Sequence, residues 1–464
     1  MKQIRTASIA TLGCKLNQSE SDRMARQLSD AGVSIVQNGQ PVDLFVVNSC
    51  TVTHIGDRKS RQLIRHAVRS NPEAFVLVTG CYAEMDPETV SAIEGVNAVL
   101  GNEGKERLVE ALRGFGLEVG GSSHPVDQPE GRSTTLQLLC ENKLGISQRE
   151  MGHERSRAFV KIQEGCDNYC TYCIVPMARG HRRSRPAEDI VDEIKRLVLE
   201  GRQEIVLTGV NITAYGRDYG VKDEQPKDRS QGLRELVERI LAETNVPRIR
   251  LTSLQPQDWS SNMYDLWNSG RLCRHLHLSL QSGSDTVLKR MRRRYNVDQY
   301  ARIVAEAKKA LPGVAITTDV IVGFPGETES EFLETEEFLR SISLAGFHVF
   351  KYSPREGTPA AKMPDQVDPK VKQERSDRLI ALARESGEKF RASLIGSMLE
   401  VFWEERLTPD EARRLGLRSE GSVCWKGLSD NYVKVYAAEP EWIGGRITGA
   451  KVEKLSGDGV LAVL

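Results

Sequence analysis

The stretch Glu164–Arg185, EGCDNYCTYCIVPMARGHRRSR, places Cys166, Cys170 and Cys173 within eight residues in a C-x3-C-x2-C spacing. Structural zinc sites use four protein ligands, and a four-iron cluster normally takes four cysteines. A zinc site with His181 as the fourth ligand is one alternative, but zinc spacings usually combine two close cysteine pairs. The stretch therefore predicts an iron–sulfur centre with one open coordination position.

The three cysteines directly follow the first of six predicted strands. Helical segments such as PAEDIVDEIKRLVLEG separate these strands, and this alternation indicates a (β/α)6 partial barrel. In such barrels the functional residues lie at the carboxyl ends of the strands. The six predicted strands are residues 158–163, 204–210, 248–254, 275–280, 315–324 and 347–352.

A second set of cysteines lies in the first hundred residues. Cys14, Cys50 and Cys81 each end a β-rich segment, SIATLGC, LFVVNSC and FVLVTGC. Parallel strands bring such positions to one sheet edge, so three distant thiols are expected to lie together. Taken singly, each of these cysteines would be interpreted as a small buried hydrophobic residue, since free cysteine is often found in protein cores. Three other cysteines are interpreted as structural in this way. Those three are Cys140, Cys273 and Cys424.

Length and composition suggest several domains. The chain has 464 residues and no net charge, which does not exclude nucleic acid because a local basic face is sufficient to bind phosphates. Its first residues lack the pattern of a signal peptide, and no apolar run is long enough to span a bilayer, so a cytoplasmic protein without a membrane partner is expected. The predicted boundaries are an amino-terminal parallel βα domain at 1–115, a linker at 116–150, the barrel at 151–392 and a small antiparallel β-barrel at 393–464.

The cysteine loop after the first barrel strand resembles the radical S-adenosylmethionine (SAM) superfamily. The whole chain resembles the methylthiotransferase family through TLGCKLNQSES, VVNSCTVT, VTGCYAE, KIQEGCDNYCTYCIVPMARGHRRSRP, LQSGSDTVLKRM and DVIVGFPGETE. The resemblance implies two [4Fe-4S] clusters, one on Cys166, Cys170 and Cys173 that cleaves SAM, and an auxiliary one. Cys14, Cys50 and Cys81 would hold the auxiliary cluster, and the terminal barrel would be a TRAM RNA-binding domain.

The resemblance also implies which residues contact SAM. A small-residue turn follows the second barrel strand, and GFPGE follows the fifth. The alternative for GFPGE is a plain strand-to-helix turn, with Thr328 and Glu331 forming a capping box. The expected SAM contacts are Gly209, Ser279, Gln281, Gly323 and Arg179.

Among the branches of the family, the sequence resembles most the one that modifies N6-threonylcarbamoyladenosine at position 37 of tRNA, at C2. The alternatives are N6-isopentenyladenosine in tRNA, an aspartate of a ribosomal protein, and a radical SAM RNA methyltransferase. A metal-stabilised RNA-binding scaffold is the alternative without catalysis. The resemblance implies one SAM as methyl donor and one as radical source, the tRNA anticodon stem-loop as partner, and flavodoxin or ferredoxin as electron donor. A monomer is expected.

Two basic runs favour an RNA partner. ARGHRRSR (178–185) and LKRMRRRY (288–295) follow predicted strands, so their side chains are candidates for a cationic rim that contacts phosphates. A salt-bridged helical face is the alternative for such runs. In the terminal barrel, Trp425, Lys426, Tyr432 and Lys434 suit stacking and backbone contact with unpaired RNA, and aromatic core packing is equally consistent.

Overall fold

The computed structural model describes residues 2–36, 40–120, 157–219, 229–417 and 422–464. The chain divides into two compact units. The first comprises residues 1–154, 165–167 and 173–181, and the second comprises 155–164, 168–172 and 182–464. Cys140 and most of the predicted linker lie outside the described residues.

The first unit is built on a five-stranded parallel sheet in the order β3-β2-β4-β5-β6, with β1 and β7 paired beside it. Its central strands are rich in Val, Phe and Leu, and all their residues except the partly buried Phe75 are buried, as expected for a sheet covered by helices on both faces. The strands are β1 (Lys2–Ile4), β2 (Thr6–Thr11), β3 (Ser34–Ile35), β4 (Leu44–Ser49), β5 (Phe75–Gly80), β6 (Ala98–Leu100) and β7 (Leu117–Val119). The helices are α1 (Lys15–Asp30), α2 (His54–Ser70), α3 (Cys81–Met85), α4 (Pro87–Ser91), α5 (Leu108–Gly114) and α6 (Val175–Arg179).

A short strand of the first unit follows residue 115, where the predicted amino-terminal domain ends. Leu117–Val119 forms β7 and pairs in parallel with Lys2–Ile4. The linker predicted at 116–150 includes these residues, because a three-residue strand gives no periodic signal that separates it from a loop.

The second unit begins with the six predicted barrel strands. Sheets β12-β11-β8 and β13-β14-β15 are parallel throughout, and bridges from Ile249 to Leu272 and from Leu254 to Leu278 join them into one curved row. The strands are β8 (Arg157–Lys161), β9 (Gln163–Glu164), β10 (Arg183–Ser184), β11 (Glu204–Thr208), β12 (Arg248–Leu251), β13 (His275–His277), β14 (Ala315–Val322) and β15 (Gly346–Lys351). The helices are α7 (Ala187–Leu199), α8 (Gln231–Glu243), α9 (Asp285–Arg290), α10 (Val297–Ala310), α11 (Glu329–Ser341) and α12 (Pro369–Ala392).

The second unit ends in a closed five-stranded barrel in the order β16-β17-β18-β20-β19. Its pairings are antiparallel except β18 with β20, which is parallel, a detail that short alternating segments do not reveal. Closure leaves no unpaired sheet edge. Its elements are β16 (Met398–Arg406), α13 (Pro409–Arg414), β17 (Val423–Ser429), β18 (Lys434–Glu439), β19 (Ile447–Ser456) and β20 (Gly459–Val463).

The amino ends of the barrel strands meet the terminal barrel through a buried ion cluster. The carboxylate of Glu204 accepts hydrogen bonds from Arg248 (2.8 Å) and Arg250 (2.7 Å), and all three side chains are buried. These arginines also donate to the carbonyls of Leu428 and Ser429, at 2.9 and 3.1 Å. The terminal barrel is thus fixed at the end of the strands opposite to their carboxyl edge.

Within the described ranges, none of the helices combines the length and the apolar character that crossing a bilayer requires.

Candidate functional site

The first unit places its three cysteines at the carboxyl ends of neighbouring parallel strands. Cys14 caps α1 after β2, Cys50 follows β4, and Cys81 begins α3 directly after β5. A Cβ atom at Gly13 would lie 3.1 Å from the Cys50 sulfur, so the first two loops approach closely. The order β2-β4-β5 in the sheet explains why residues 36 and 31 positions apart form one group.

Two polar side chains tie the three cysteine loops together. The amide nitrogen of Asn17 donates to the carbonyl of Leu12 (2.8 Å) and to that of Ser49 (3.0 Å), which links the first loop to the second. The Ser49 hydroxyl donates to the carbonyl of Thr79 (2.5 Å) and accepts from the backbone nitrogen of Ala83 (3.2 Å), which links the second loop to the third. The loops are therefore held by buried hydrogen bonds that do not involve the thiols.

Next to these loops lies a buried group of charges. Glu20 accepts from the Nη1 of Arg179 (2.6 Å) and from the Nζ of Lys105 (2.7 Å), and Arg179 also donates to the Oδ1 of Asn17 (2.6 Å). All four side chains are buried, and the two cations share the Glu20 carboxylate. Arg179, which the sequence assigned to SAM, makes these contacts within the first unit.

The electrostatics of the thiols fit this arrangement. Burial raises the pKa of the Cys50 thiol to about 12; the backbone N–H of Val52 opposes the rise, and nearby Cys14 and Cys81 add to it. Arg179 favours the thiolate form of Cys50. Since only thiolates ligate metal, the buried arginine favours the state that a bound metal centre requires.

The second cysteine set lies on the loop between β9 and α6. Gly165 begins this loop with φ +67°, and a Cβ atom there would lie 1.9 Å from the carbonyl oxygen of His181, so only glycine fits. The backbone nitrogen of Cys166 donates to the carbonyl of Gly180 (3.1 Å). The Nδ1 of His181, the candidate zinc ligand, lies 2.9 Å from the Oδ1 of Asp167, and its ring is largely exposed.

Within the second unit, Cys170 is buried and has a cationic neighbour. The Nη1 of Arg293 donates to its sulfur at 3.5 Å. The same guanidinium donates to Gln255 (2.7 Å) and to the carbonyl of Ser279 (2.9 Å), which lie beyond the ends of β12 and β13. The sequence made Arg293 a candidate for the cationic rim, because a run of five basic residues does not show which side chain turns inward.

The residues expected to contact SAM follow the carboxyl ends of barrel strands, apart from Arg179. At Gly209 a Cβ atom would lie 2.7 Å from the carbonyl oxygen of Gln163, so the turn after β11 requires glycine. Ser279 is buried after β13, and Gln281 has φ +73°, a left-handed conformation that is uncommon for a residue with a side chain. Gly323 has φ +69°, and its nitrogen donates to Glu327 at 2.6 Å.

The capping interpretation of GFPGE is confirmed. The Thr328 hydroxyl accepts from the backbone nitrogen of Glu331 (3.2 Å), and the Glu331 carboxylate accepts from that of Thr328 (2.9 Å). This capping box starts α11 directly after the glycine turn.

Sequence reasoning gave no role to a polar row across β13, β14 and β15. Asp319 lies 3.2 Å from the Nε2 of His277 and 3.2 Å from the Nδ1 of His348. Burial opposes ionisation of Asp319, but the two imidazoles outweigh it and lower its pKa. Thr317 contacts both His275 and His277, at 2.9 and 3.0 Å. In the sequence, the spacing of His275 and His277 by two residues in a predicted strand was the signal that could have revealed this row, because it places both side chains on one face.

Some basic side chains of the two runs form salt bridges, and others are exposed to solvent. Arg183 and Arg185 pair with Glu164 (2.6 Å) and Glu193 (2.8 Å), as the salt-bridge interpretation expects. Arg290 pairs with Glu331 at 2.8 Å. Three basic side chains of the second run are exposed and suit a cationic rim, namely Lys289, Arg292 and Arg294.

In the terminal barrel, Trp425 is fully buried, so core packing explains it. Lys426 pairs with Glu405 at 2.9 Å, and Lys434 pairs with Asp458. Tyr432 is partly exposed, and its ring stacks on His275 with centroids 4.2 Å apart.

Comparison with known proteins finds two family models, and each of them contains one of the two cysteine sets. Residues 160–339 match the model of the Radical SAM superfamily, and residues 6–101 match that of the Uncharacterized protein family UPF0004. The first match contains the cysteine loop and strands β11 to β14, and the second contains Cys14, Cys50 and Cys81.

Similarity to curated proteins extends over nearly the whole chain. The chain is 39% identical to the threonylcarbamoyladenosine tRNA methylthiotransferase MtaB of Bacillus subtilis over 450 residues, which cover 97% of this chain and 94% of that one. The chain belongs to the radical SAM tRNA methylthiotransferase family. The MtaB protein of Thermotoga maritima is 34% identical, over 99% of this chain and 97% of its own length. A tRNA-2-methylthio-N(6)-dimethylallyladenosine synthase of Anoxybacillus flavithermus is 33% identical, over 97% and 82%.

Among solved structures, this methylthiotransferase resembles in fold the radical SAM methyltransferase TsrM of Kitasatospora setae. The TM-score is 0.54 at 16% identity, over 78% of this chain and 74% of that one. The likeness concerns the fold alone, and it agrees with a radical SAM fold.

Membership of the radical SAM superfamily implies a [4Fe-4S] cluster and SAM. The donor set of this methylthiotransferase fits, because Cys166, Cys170 and Cys173 provide three thiols on one short loop. Among the described residues, no three His, Cys, Asp or Glu side chains surround a single-ion site. A cuboidal cluster does not need such convergence, because each of its cysteines ligates a different iron.

Proposed function

We propose that this protein adds a methylthio group to C2 of N6-threonylcarbamoyladenosine at position 37 of tRNA. The observation that carries the proposal is identity of 34–39% over nearly the whole chain to two MtaB proteins. The conversion would use one SAM as methyl donor and one as radical source. The related dimethylallyladenosine synthases, at 31–34% identity, keep an isopentenyl-type substrate as the second candidate.

Two metal centres are part of the proposal. Cys166, Cys170 and Cys173 would hold a [4Fe-4S] cluster that supplies the electron for cleaving SAM. Cys14, Cys50 and Cys81 would hold an auxiliary [4Fe-4S] cluster that presents sulfur. Convergence of the last three loops at one sheet edge, with their Asn17 and Ser49 hydrogen bonds, supports the auxiliary site.

The carboxyl edge of the barrel strands would bind SAM. Gly209 and Gly323 form tightly packed turns after β11 and β14, and Ser279 and Gln281 lie after β13 between them in chain order. Arg179 stays in the proposal for its proximity to the auxiliary cysteines, where its charge would favour thiolates.

The partners follow from the substrate. The anticodon stem-loop would contact the exposed Lys289, Arg292 and Arg294, whose charges suit phosphates. The closed barrel of residues 398–463 would act as the TRAM domain. We further propose a cytoplasmic monomer that receives electrons from flavodoxin or ferredoxin.

The first experiment counts iron, acid-labile sulfide and zinc per chain after anaerobic reconstitution, in wild type and in Cys14→Ala/Cys50→Ala/Cys81→Ala. We expect about eight irons in the wild type and about four in the triple variant. Four irons in both proteins would refute the auxiliary cluster, and zinc without iron would refute the radical chemistry.

The second experiment identifies the substrate. tRNA carrying N6-threonylcarbamoyladenosine or N6-isopentenyladenosine, each without the methylthio group, is incubated with reconstituted enzyme, SAM and a reductant, and its nucleosides are analysed by mass spectrometry. We expect methylthio product from the threonylcarbamoyl substrate alone. Product from the isopentenyl substrate alone would establish the second candidate.

A further inference from the structure

Arg293 is the basic residue of LKRMRRRY (288–295) whose side chain contacts a cysteine. Its guanidinium donates to the sulfur of Cys170 (3.5 Å), to the Oε1 of Gln255 (2.7 Å) and to the carbonyl of Ser279 (2.9 Å). Its neighbours in sequence, Arg292 and Arg294, are exposed. All of these residues belong to the second unit.

The backbone at the end of α9 directs Arg293 inward. Arg292 has φ +56°, and the backbone nitrogen of Arg293 donates to the carbonyl of Leu288 at 2.9 Å. This left-handed residue reverses the chain, as at many helix ends.

The guanidinium is held on several sides. It lies over the ring of Tyr295, 5.0 Å from the centroid, and its Nε donates to the Tyr295 hydroxyl at 3.1 Å. That hydroxyl donates in turn to the carbonyl of Ser279 at 2.8 Å. With these partners on three edges and one face, the side chain has little freedom to leave Cys170.

We propose that Arg293 positions Cys170 and raises the reduction potential of the cluster that Cys166, Cys170 and Cys173 hold. This inference rests on the proposed function, which places a cluster there. One-electron reduction adds a negative charge to the cluster, and a fixed positive charge beside a ligating sulfur stabilises the reduced form. The N–H···S hydrogen bond acts in the same direction, because it withdraws electron density from the thiolate.

A higher reduction potential of the cluster would favour the proposed cleavage of SAM, for which the cluster supplies the electron. Electrons reach such a cluster from a low-potential donor, so a higher cluster potential increases the fraction reduced at a given donor potential. Because the guanidinium stays charged at all physiological pH values, this contribution does not vary with pH.

The test uses a protein with a single cluster to titrate, Cys14→Ala/Cys50→Ala/Cys81→Ala. Arg293→Gln and Arg293→Lys are added to it separately, with Arg294→Gln as the matched control for loss of one positive charge at an exposed neighbour. Iron is counted in each protein. The ratio of reduced to oxidised cluster is then measured by electron paramagnetic resonance at a series of fixed ambient potentials.

We expect Arg293→Gln to lower that ratio about tenfold at a fixed potential, which for a one-electron couple equals about 59 mV. Arg293→Lys should lie between Arg293→Gln and the parent, because it keeps the charge and loses the forked geometry. Arg294→Gln should match the parent. A full complement of iron with the parental ratio in Arg293→Gln would overturn the inference.

If Arg293→Gln fails to retain iron, the test rests on Arg293→Lys. A ratio of reduced to oxidised cluster below that of the parent supports the inference, and the parental ratio overturns it. If the parent itself binds no iron at Cys166, Cys170 and Cys173, the proposed function fails, and the inference fails with it. The iron count of the parent therefore separates the two failures.

Discussion

At the scale of single residues, Glu20 is the carboxylate of the buried ion group beside the loops of Cys14, Cys50 and Cys81. It is the carboxylate shared by the buried Arg179 and Lys105, at 2.6 and 2.7 Å. Desolvation makes a buried ion costly unless it is paired, so removal of one partner leaves the others uncompensated.

Glu20→Gln should therefore destabilise the first unit by about 3–5 kcal/mol, because two buried cations lose their counter-charge. Glu110→Gln is the matched control: its exposed carboxylate lies 3.9 Å from Arg107, and its loss should change stability by at most about 1 kcal/mol. Denaturant unfolding of both variants measures the difference. Equal midpoints for the two variants would show that Glu20 does not hold these cations.

At the scale of elements, β11 and β12 are joined at their amino ends by Glu204, Arg248 and Arg250. Burial opposes ionisation of Glu204, but Arg250 and Arg248 outweigh it and lower its pKa to about 2. A carboxylate whose pKa is lower in the folded than in the unfolded state stabilises the fold above its unfolded pKa, near 4.5. That stabilisation is lost as the pH falls from there through about 2.

The thermal midpoint of the wild type should therefore exceed that of Glu204→Gln by a constant amount above about pH 5, and the gap should close between about pH 5 and pH 2. Loss of this buried carboxylate should cost about 3–5 kcal/mol at neutral pH. Scanning calorimetry at a series of pH values measures both. The exposed Glu243→Gln serves as the control; a gap that does not change with pH would contradict the assignment of the lowered pKa to Glu204.

At the scale of the whole molecule, the β17–β18 turn docks the terminal barrel onto the βα strands of the same unit. Asp430 in this turn accepts from the Nε of Arg274 at 2.6 Å, and Tyr432 stacks on His275. Tyr432 has φ +66° and also lies under Arg250, 5.1 Å from the ring centroid. These contacts fix the orientation of the barrel within the second unit.

Asp430→Asn/Tyr432→Asn should loosen this docking while leaving the barrel folded, because asparagine tolerates the left-handed conformation at position 432. A loss of about 1.4 kcal/mol would raise the open population about tenfold, and cleavage between α12 and β16 would accelerate to the same extent. Limited proteolysis measures the rate. Asp458→Asn, whose side chain contacts Lys434 and Tyr436 within the barrel, is the control, and equal rates in the two variants would refute the docking role of the turn.

The sequence by itself determined the six-stranded βα order, the terminal barrel and the placement of Cys14, Cys50 and Cys81 at strand ends. These features depend on local periodicity and on the parallel direction of strands, both of which can be inferred from short segments of the sequence. Only the tertiary structure decided which basic residues turn inward, so that Arg179 meets Glu20 and Arg293 meets Cys170. The physical reason is that such contacts join residues far apart in the chain, and burial of a charge depends on partners that no local pattern identifies.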